Sequence, residues 1–224
     1  MKTKLIKSNS SDLIIFLAGW GCDDVQFKNI TCSKNLLLCW NYSDLQFYFD
    51  FQPYRQVDLI AYSAGVFVSS LIKNKLPRLN TRIAINGNVK IFDENFGISK
   101  SALNFMQNLN LDNYMDFRRK FLVNSEEELE DFNKNSSVRT FESCEKELKA
   151  LQKIYAENKQ TFDYDVAILS ENDKVFTPNH QKEYYNDKYI ELKNNAHNVF
   201  YTFKSFDSII DFVNKHERFL HIKK

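Results

Sequence analysis

Four short runs in the N-terminal part of the chain limit what it can fold into: Leu13-Ile14-Ile15-Phe16-Leu17, Leu36-Leu37-Leu38-Cys39-Trp40, Val57-Asp58-Leu59-Ile60-Ala61 and Arg82-Ile83-Ala84-Ile85-Asn86. A strand with one wet face alternates apolar and polar residues. These runs do not alternate, so each reads as a strand buried on both faces. Between the third and fourth runs, residues 66–75 place Val66, Phe67, Ser70 and Leu71 at helical spacing and stop short of Pro77, which makes the order strand, helix, strand in a parallel sheet. Further strands are expected at 165–169 and 188–192, and an amphipathic helix over 203–219 closes the chain. From 92 to 159 the character is charged and helical, marked by residues 126–131 and 144–150 and by phenylalanines at 96, 105, 117, 121, 132 and 141. The expected fold class is α/β: one domain built on a mostly parallel sheet flanked by helices, its core segments 1–91 and 160–224 interrupted by a helical insertion at 92–159.

Composition narrows the functional classes. Of 224 residues, 43% are hydrophobic and 15% aromatic, enough for one sizeable core. Five glycines and three prolines exclude collagen-like and Pro/Gly-rich disordered chains. With 30 basic against 29 acidic residues, no global field draws the chain to nucleic acid or anionic membranes, and a charged partner has to be met by a local patch. Cys22, Cys32, Cys39 and Cys144 show no C-x-x-C spacing and read as reduced, mostly packing residues. Residues 1–11 carry Lys2, Lys4 and Lys7 around two apolar residues, and the apolar run at 13–18 is far shorter than the ~20 residues of a membrane span, so a soluble, cytoplasmic protein is expected.

Ile60-Ala61-Tyr62-Ser63-Ala64-Gly65 lies where a buried strand turns directly into a helix, the context required by a nucleophile elbow of the G-x-S-x-G type. The turn strains the serine backbone and demands small residues two before and two after, which Ala61 and Gly65 supply. Ser63 is therefore the candidate nucleophile. It needs a base, and the base needs a carboxylate to orient it. His197 follows the last strand and precedes the last helix; His180, at a helix start after Pro178, and His216 and His221, near the C-terminus, read as solvated surface histidines. Asp173 sits in the loop just beyond the buried strand at 165–169, whereas Asp165 precedes that strand, Glu171 is a weaker rival, and Asp23 and Asp24 come before the serine. Ser63, Asp173, His197 is the chain order serine, acid, histidine of α/β-hydrolases.

Acyl transfer also needs N–H donors for the developing oxyanion. The residue after the nucleophile, Ala64, supplies one, and Ala18-Gly19-Trp20-Gly21, directly after the first strong strand, can supply the other through Trp20, whose indole can also wall the pocket. The phosphate-loop, dinucleotide and H-E-x-x-H metal motifs are absent.

With these residues in place, the sequence resembles, over most of its length, the compact α/β-hydrolases of the BioG type, the pimeloyl-[acyl-carrier protein] methyl ester esterases of biotin synthesis. The matching segments are Phe16-Leu17-Ala18-Gly19-Trp20-Gly21, Ala61-Tyr62-Ser63-Ala64-Gly65, Ala84-Ile85-Asn86-Gly87, Phe96-Gly97-Ile98, Phe117-Arg118-Arg119-Lys120 and Asn172-Asp173-Lys174-Val175-Phe176-Thr177-Pro178. Many larger hydrolases carry His-Gly where this chain has Ala18-Gly19, so no imidazole orders the loop here. The resemblance implies a serine carboxylesterase that needs no cofactor and cleaves the methyl ester of a pimeloyl chain borne by acyl carrier protein. It further implies that the insertion is a lid, that Trp20, Tyr62, Phe117 and Phe121 contact substrate, and that Arg118, Arg119 and Lys120 dock the acidic carrier protein. A general carboxylesterase or thioesterase would use the same triad, and a hydrolase fold that only binds an acyl ligand or a protein would keep the same architecture.

Overall fold

The computed structural model describes residues 1–158 and 161–220, with side chains as far as His216. The expected insertion boundary at 159/160 and His221 lie outside the described residues. The strands are β1 (Lys2–Ile6), β2 (Leu13–Leu17), β3 (Asn35–Trp40), β4 (Val57–Tyr62), β5 (Arg82–Ile85), β6 (Val166–Ser170) and β7 (Tyr189–Leu192). They form one sheet in the order β1-β3-β2-β4-β5-β6-β7. Every neighbouring pair is parallel except β1 with β3, where Lys2 lies opposite Trp40 and Ile6 opposite Leu36.

The unbroken apolar runs are buried at every position in β2, β3 and β4 because both faces of the sheet are covered. Side chains alternate between the faces. Ile14, Phe16, Leu36, Leu38 and Ile60 lie on one side with Phe206, Ile209 and Val213 of a C-terminal helix, Phe206–Leu220. Leu13, Ile15, Leu17, Leu59 and Ala61 lie on the other with Val66 and Ile72, from the helix Ala64–Ile72, and with Tyr185, from Pro178–Tyr185. The sequence gives no sign of β1, and the structure explains why. It is an edge strand, exposed at four of its five positions, and its lysines leave that edge charged against pairing with another chain.

In chain order the helices are α1 (Ala64–Ile72), α2 (Lys100–Gln107), α3 (Tyr114–Phe117), α4 (Glu126–Lys134), α5 (Phe141–Glu157), α6 (Pro178–Tyr185) and α7 (Phe206–Leu220). α2 to α5 fall between β5 and β6, with a π-helical turn over Arg118–Leu122 following α3. Ser99, Ser125 and Thr140 cap α2, α4 and α5, their side-chain oxygens accepting the N–H groups of Ala102, Glu128 and Ser143. A third apolar cluster ties this insertion to the start of α1: Ala102, Met106, Leu148 and Leu151 pack with Ala64 and Phe67. The insertion therefore sits at the end of the sheet where β4 passes into α1. No helix among the described residues is long and apolar enough to cross a membrane.

Phe16 shows how tightly the sheet is packed. Its fully buried ring meets Phe27, Phe206 and Phe200 at centroid distances of 4.8, 4.9 and 5.7 Å. Phe16→Ala is expected to destabilise the protein by about 3–5 kcal/mol, measured as a lower urea midpoint at unchanged slope. A shift worth less than about 1 kcal/mol would mean that the core collapses around the gap.

Candidate active site

Ser63 occupies the single residue between β4 and α1, with φ 55° and ψ −121°. A side chain in this region costs about 1–3 kcal/mol and persists only where its surroundings enforce it. Here two glycines let backbone close in on the turn. A Cβ on Gly65 would lie 2.2 Å from the Leu17 carbonyl oxygen, and one on Gly87 would lie 2.4 Å from that of Ser63. The Ser63 N–H donates to the Ile85 carbonyl at 2.8 Å, which pins the turn to the end of β5.

The loops after β6 and β7 bring two further groups to the same place. His197 Nε2 lies 2.9 Å from Ser63 Oγ, and His197 Nδ1 lies 2.9 Å from Asp173 Oδ2. An ionised carboxylate only accepts, so the proton sits on Nδ1, and Nε2 is left to accept from the serine hydroxyl. Asp173 is 2% exposed and His197 3%. The second oxygen of Asp173, Oδ1, accepts the N–H groups of Val175 and Phe176 at 2.8 and 3.0 Å, so the carboxylate is fixed from both sides. Asn172 N–H donates to the Asn195 carbonyl and joins the acid loop to the histidine loop.

Two residues hold His197 in place: Asn86, which had no role among the sequence-based expectations, and Tyr62, which was expected only as a substrate contact. Asn86, at the end of β5 with φ 47°, donates from Nδ2 to the His197 carbonyl and to Ser170 Oγ, both at 2.8 Å, and its Oδ1 accepts the Ser170 N–H. Tyr62 donates its hydroxyl to the same His197 carbonyl at 3.2 Å, and its ring lies tilted against the imidazole at a centroid distance of 5.2 Å. The signal available beforehand was only that Asn86-Gly87 ends a buried strand beside the serine.

The rival groups are engaged elsewhere. Glu171 accepts the Asn194 N–H and pairs with Lys193, which together hold its carboxyl below the usual range. Asp23 accepts the N–H groups of Val25 and Val138, and Asp24 pairs with Lys4. His180 and His216 are half-buried, not solvated as expected, each bonded through Nδ1 to a backbone carbonyl, that of Gly97 or Phe212. All four cysteines are free; burial pushes the Cys144 thiol up to about 11 and the Cys22 and Cys39 thiols higher still, so none offers a thiolate.

The loop Ala18-Gly19-Trp20-Gly21 lies against the serine, since a Cβ on Gly19 would be 3.2 Å from Ser63 Cβ. Among the described residues the Trp20 backbone N–H has no partner, and the Ala64 N–H opens α1 with none inside the helix. Ser63, His197, Trp20, Tyr62 and Phe117 line a cavity of about 160 Å³ whose wall also includes Ile98, Leu151, Phe200 and Lys204.

Two expectations need correction. Phe121 does not line the cavity: it is 2% exposed and packs on Phe105 and Phe117 inside the insertion. Arg118 is not a surface charge either. Its guanidinium is buried over the Tyr114 ring and donates to Asn133 Oδ1 and Ser136 Oγ at 2.9 Å, a brace between α3 and α4. The π-helical turn swings it inward while Arg119 pairs with Glu126 and Lys120 stays exposed.

Comparison with known proteins places this geometry. The family model described as "Pimeloyl-ACP methyl esterase BioG" matches residues 1–209. An uncharacterized protein of Haemophilus influenzae is 31% identical over 192 residues, 83% of this chain and 87% of its own length. A malonyl-[acyl-carrier protein] O-methyltransferase of Bacteroides fragilis is 31% identical over 178 residues, 77% of this chain, which spans only 36% of that longer protein. The crystal structure of BioG from H. influenzae superimposes with a TM-score of 0.83 at 28% identity, over 93% of this chain and 99% of that one. An alpha/beta hydrolase fold protein from Chitinophaga pinensis shares the fold alone, with a TM-score of 0.59 at 14% identity over 97% and 92% of the two chains. The fold is thus that of the α/β-hydrolases.

The hydrogen-bonded serine predicts selective reactivity. A fluorophosphonate should label the wild-type protein at Ser63, label Ser63→Ala not at all, and label Asn86→Ala about tenfold more slowly, the cost of about one lost hydrogen bond to the histidine loop. Equal labelling of wild type and Ser63→Ala, followed by mass spectrometry, would remove Ser63 as the nucleophile.

Proposed function

The chain belongs to the BioG family of pimeloyl-ACP methyl esterases, and from that premise we propose that it hydrolyses the methyl ester at the far end of a pimeloyl chain carried by acyl carrier protein, releasing methanol and the free carboxylate. The observation that carries this reading is the imidazole of His197, 2.9 Å from both Ser63 Oγ and Asp173 Oδ2, at the wall of a largely apolar cavity.

Ser63 Oγ attacks the ester carbonyl carbon while His197 Nε2 takes the hydroxyl proton, and Asp173 stabilises the imidazolium. The carbonyl oxygen becomes an oxyanion and is met by the N–H groups of Trp20 and Ala64. Collapse of this intermediate breaks the bond to the methoxy oxygen, to which His197 returns the proton, and methanol leaves. Water then gives a proton to His197 and adds to the acyl-serine carbonyl. The second collapse frees the acid and restores the serine hydroxyl. No step needs a group from outside the chain other than water.

On this reading residues 92–159 form a lid over the acyl chain, with Trp20, Tyr62 and Phe117 as its contacts, and the reaction takes place in the cytoplasm with the carrier protein. Docking of the acidic carrier then falls to Arg119 and Lys120, since Arg118 is spent inside the insertion. The methyltransferase relative adds a chemical argument. An enzyme named for methylating a carrier-bound diacid makes the class of ester that this site would cleave, and it contains a segment similar to this chain.

Methyl pimeloyl-carrier protein is expected to be turned over with a kcat/KM at least about 100-fold above that for a short p-nitrophenyl ester, the margin that a few kcal/mol of extra binding supplies. Arg119→Glu/Lys120→Glu should raise KM for the carrier substrate and spare the small ester. Equal kcat/KM for the two esters would make the protein a general carboxylesterase, and an unchanged KM in the double variant would remove the docking surface.

A further inference from the structure

The loop that carries the Trp20 N–H has no histidine to order it, because Ala18 offers no side-chain hydrogen bond. Its restraints come instead from α5. Glu147, a fully buried carboxylate on that helix, accepts the Gly21 N–H on Oε2 at 3.1 Å and the Tyr42 N–H on Oε1 at 2.7 Å. Arg139, just before α5, donates from Nη1 to the same Oε2 at 2.5 Å and also reaches the Cys22 carbonyl at 3.3 Å. Tyr42 completes the ring of contacts by donating its hydroxyl to the Ala18 carbonyl at 2.8 Å. The Trp20 indole N–H, finally, donates to the Cys144 carbonyl at 2.8 Å. The Gly21 end of the loop and its one large side chain are therefore held from α5, and its Ala18 end by β3 and by Tyr42, whose own N–H is bound to Glu147.

Packing alone does not account for a carboxylate here. Burial pushes the Glu147 carboxyl above its ordinary range and Arg139 opposes the shift, and apolar residues of the same volume often serve stability as well as such a pair or better. What apolar residues cannot do is accept two backbone N–H groups. The amides of Trp20 and Gly21 are consecutive, and only one of them is occupied: Gly21 N–H is bound to Glu147, while Trp20 N–H has no partner among the described residues.

We propose that Glu147, held by Arg139, is a positioning residue for the oxyanion hole: it draws the Gly21 N–H out of the reaction site and thereby sets the Trp20 N–H as the loop's donor to the ester oxyanion. The insertion then builds part of the catalytic machinery. The inference rests on the esterase reading, because the oxyanion it serves forms only in acyl transfer.

Glu147→Gln by itself strands a buried guanidinium, so the decisive variant is Glu147→Gln/Arg139→Met, which removes both charges together. It is compared with wild type by thermal unfolding, by steady-state kinetics on a methyl ester and by the affinity of a trifluoromethyl ketone, which forms the tetrahedral oxyanion on the serine. The expected result is an unchanged KM, a kcat lower by about 10- to 100-fold, somewhat less than loss of a whole oxyanion donor, and a ketone Ki raised by the same factor. A folded double variant with wild-type kcat and Ki overturns the proposal and leaves the pair as a structural staple. If the double variant does not fold, Glu147→Asp decides, because it keeps the charge that Arg139 pairs with but draws the carboxylate back from the Gly21 N–H: a parallel loss of kcat and ketone affinity supports the proposal, and wild-type values overturn it. A wild-type protein that cleaves no ester removes the esterase reading and this inference with it, whereas an active wild type with an equally active variant removes the inference alone.

Discussion

The turn at Ser63 governs the rest of the site. A serine held at φ 55° is stable only if its neighbours leave it no alternative, and they do so with backbone: the Leu17 carbonyl against Gly65, the Ser63 carbonyl against Gly87, the Ile85 carbonyl on the Ser63 N–H. The first contact comes from the end of β2 and the other two from the end of β5, the strands on either side of β4. Because β2, β4 and β5 are parallel neighbours, their ends bring the loop at Ala18, the serine and Asn86 to one edge of the sheet. Asn86 then carries the constraint one strand further, through Ser170 at the end of β6, to the loop that holds His197. A strained residue, a sheet direction and one amide side chain thus connect the three groups of the candidate triad.

Much of this was legible in advance because the relevant signals are local. Predominantly apolar runs without alternation mark β2 to β6 as doubly covered strands, and Ala61, Ser63 and Gly65 mark an elbow by size alone. Asp173 and His197 stand out because each follows a strand directly. What was hidden depends on direction or distance. β1 has no apolar face to advertise it, since it needs to satisfy only one neighbour. Arg118 reads as one of three surface cations until the π-helical turn rotates it under Tyr114, and no linear pattern announces that turn. Glu147 touches Gly21 and Tyr42 across 126 and 105 residues of sequence, so on α5 it looks like any other helical glutamate.

The scarcity of glycine sharpens the same point. A chain with five glycines in 224 residues has placed Gly19, Gly65 and Gly87 within a few ångströms of Ser63 or the strand ends that support it. Positive φ, by contrast, is reached mostly with asparagine, at Asn41, Asn86, Asn186 and Asn194, and with glycine at Gly21. Asparagine meets a conformational need, but it cannot make room, and beside Ser63 the need is for room.

The contacts of α5 also limit how the proposed lid can work. A rigid swing of the whole insertion away from the sheet would break the Glu147 bonds to Gly21 and Tyr42 and the Trp20 bond to the Cys144 carbonyl, and would expose a buried ion pair with its partners lost. On the esterase proposal, such an opening dismantles the loop that would receive the oxyanion and has to be reversed before each turnover. α4 is fastened differently. Apart from the buried Leu129, it meets the core through exposed polar pairs, Lys204 with Asp131, Tyr201 with Glu127 and Asn29 with Asn135, which exchange readily with water. On the esterase proposal, the energetically modest route for an acyl chain is therefore past α4, where the cavity wall includes Asn135 and Lys204, while α5 stays seated and the loop at Trp20 stays ordered.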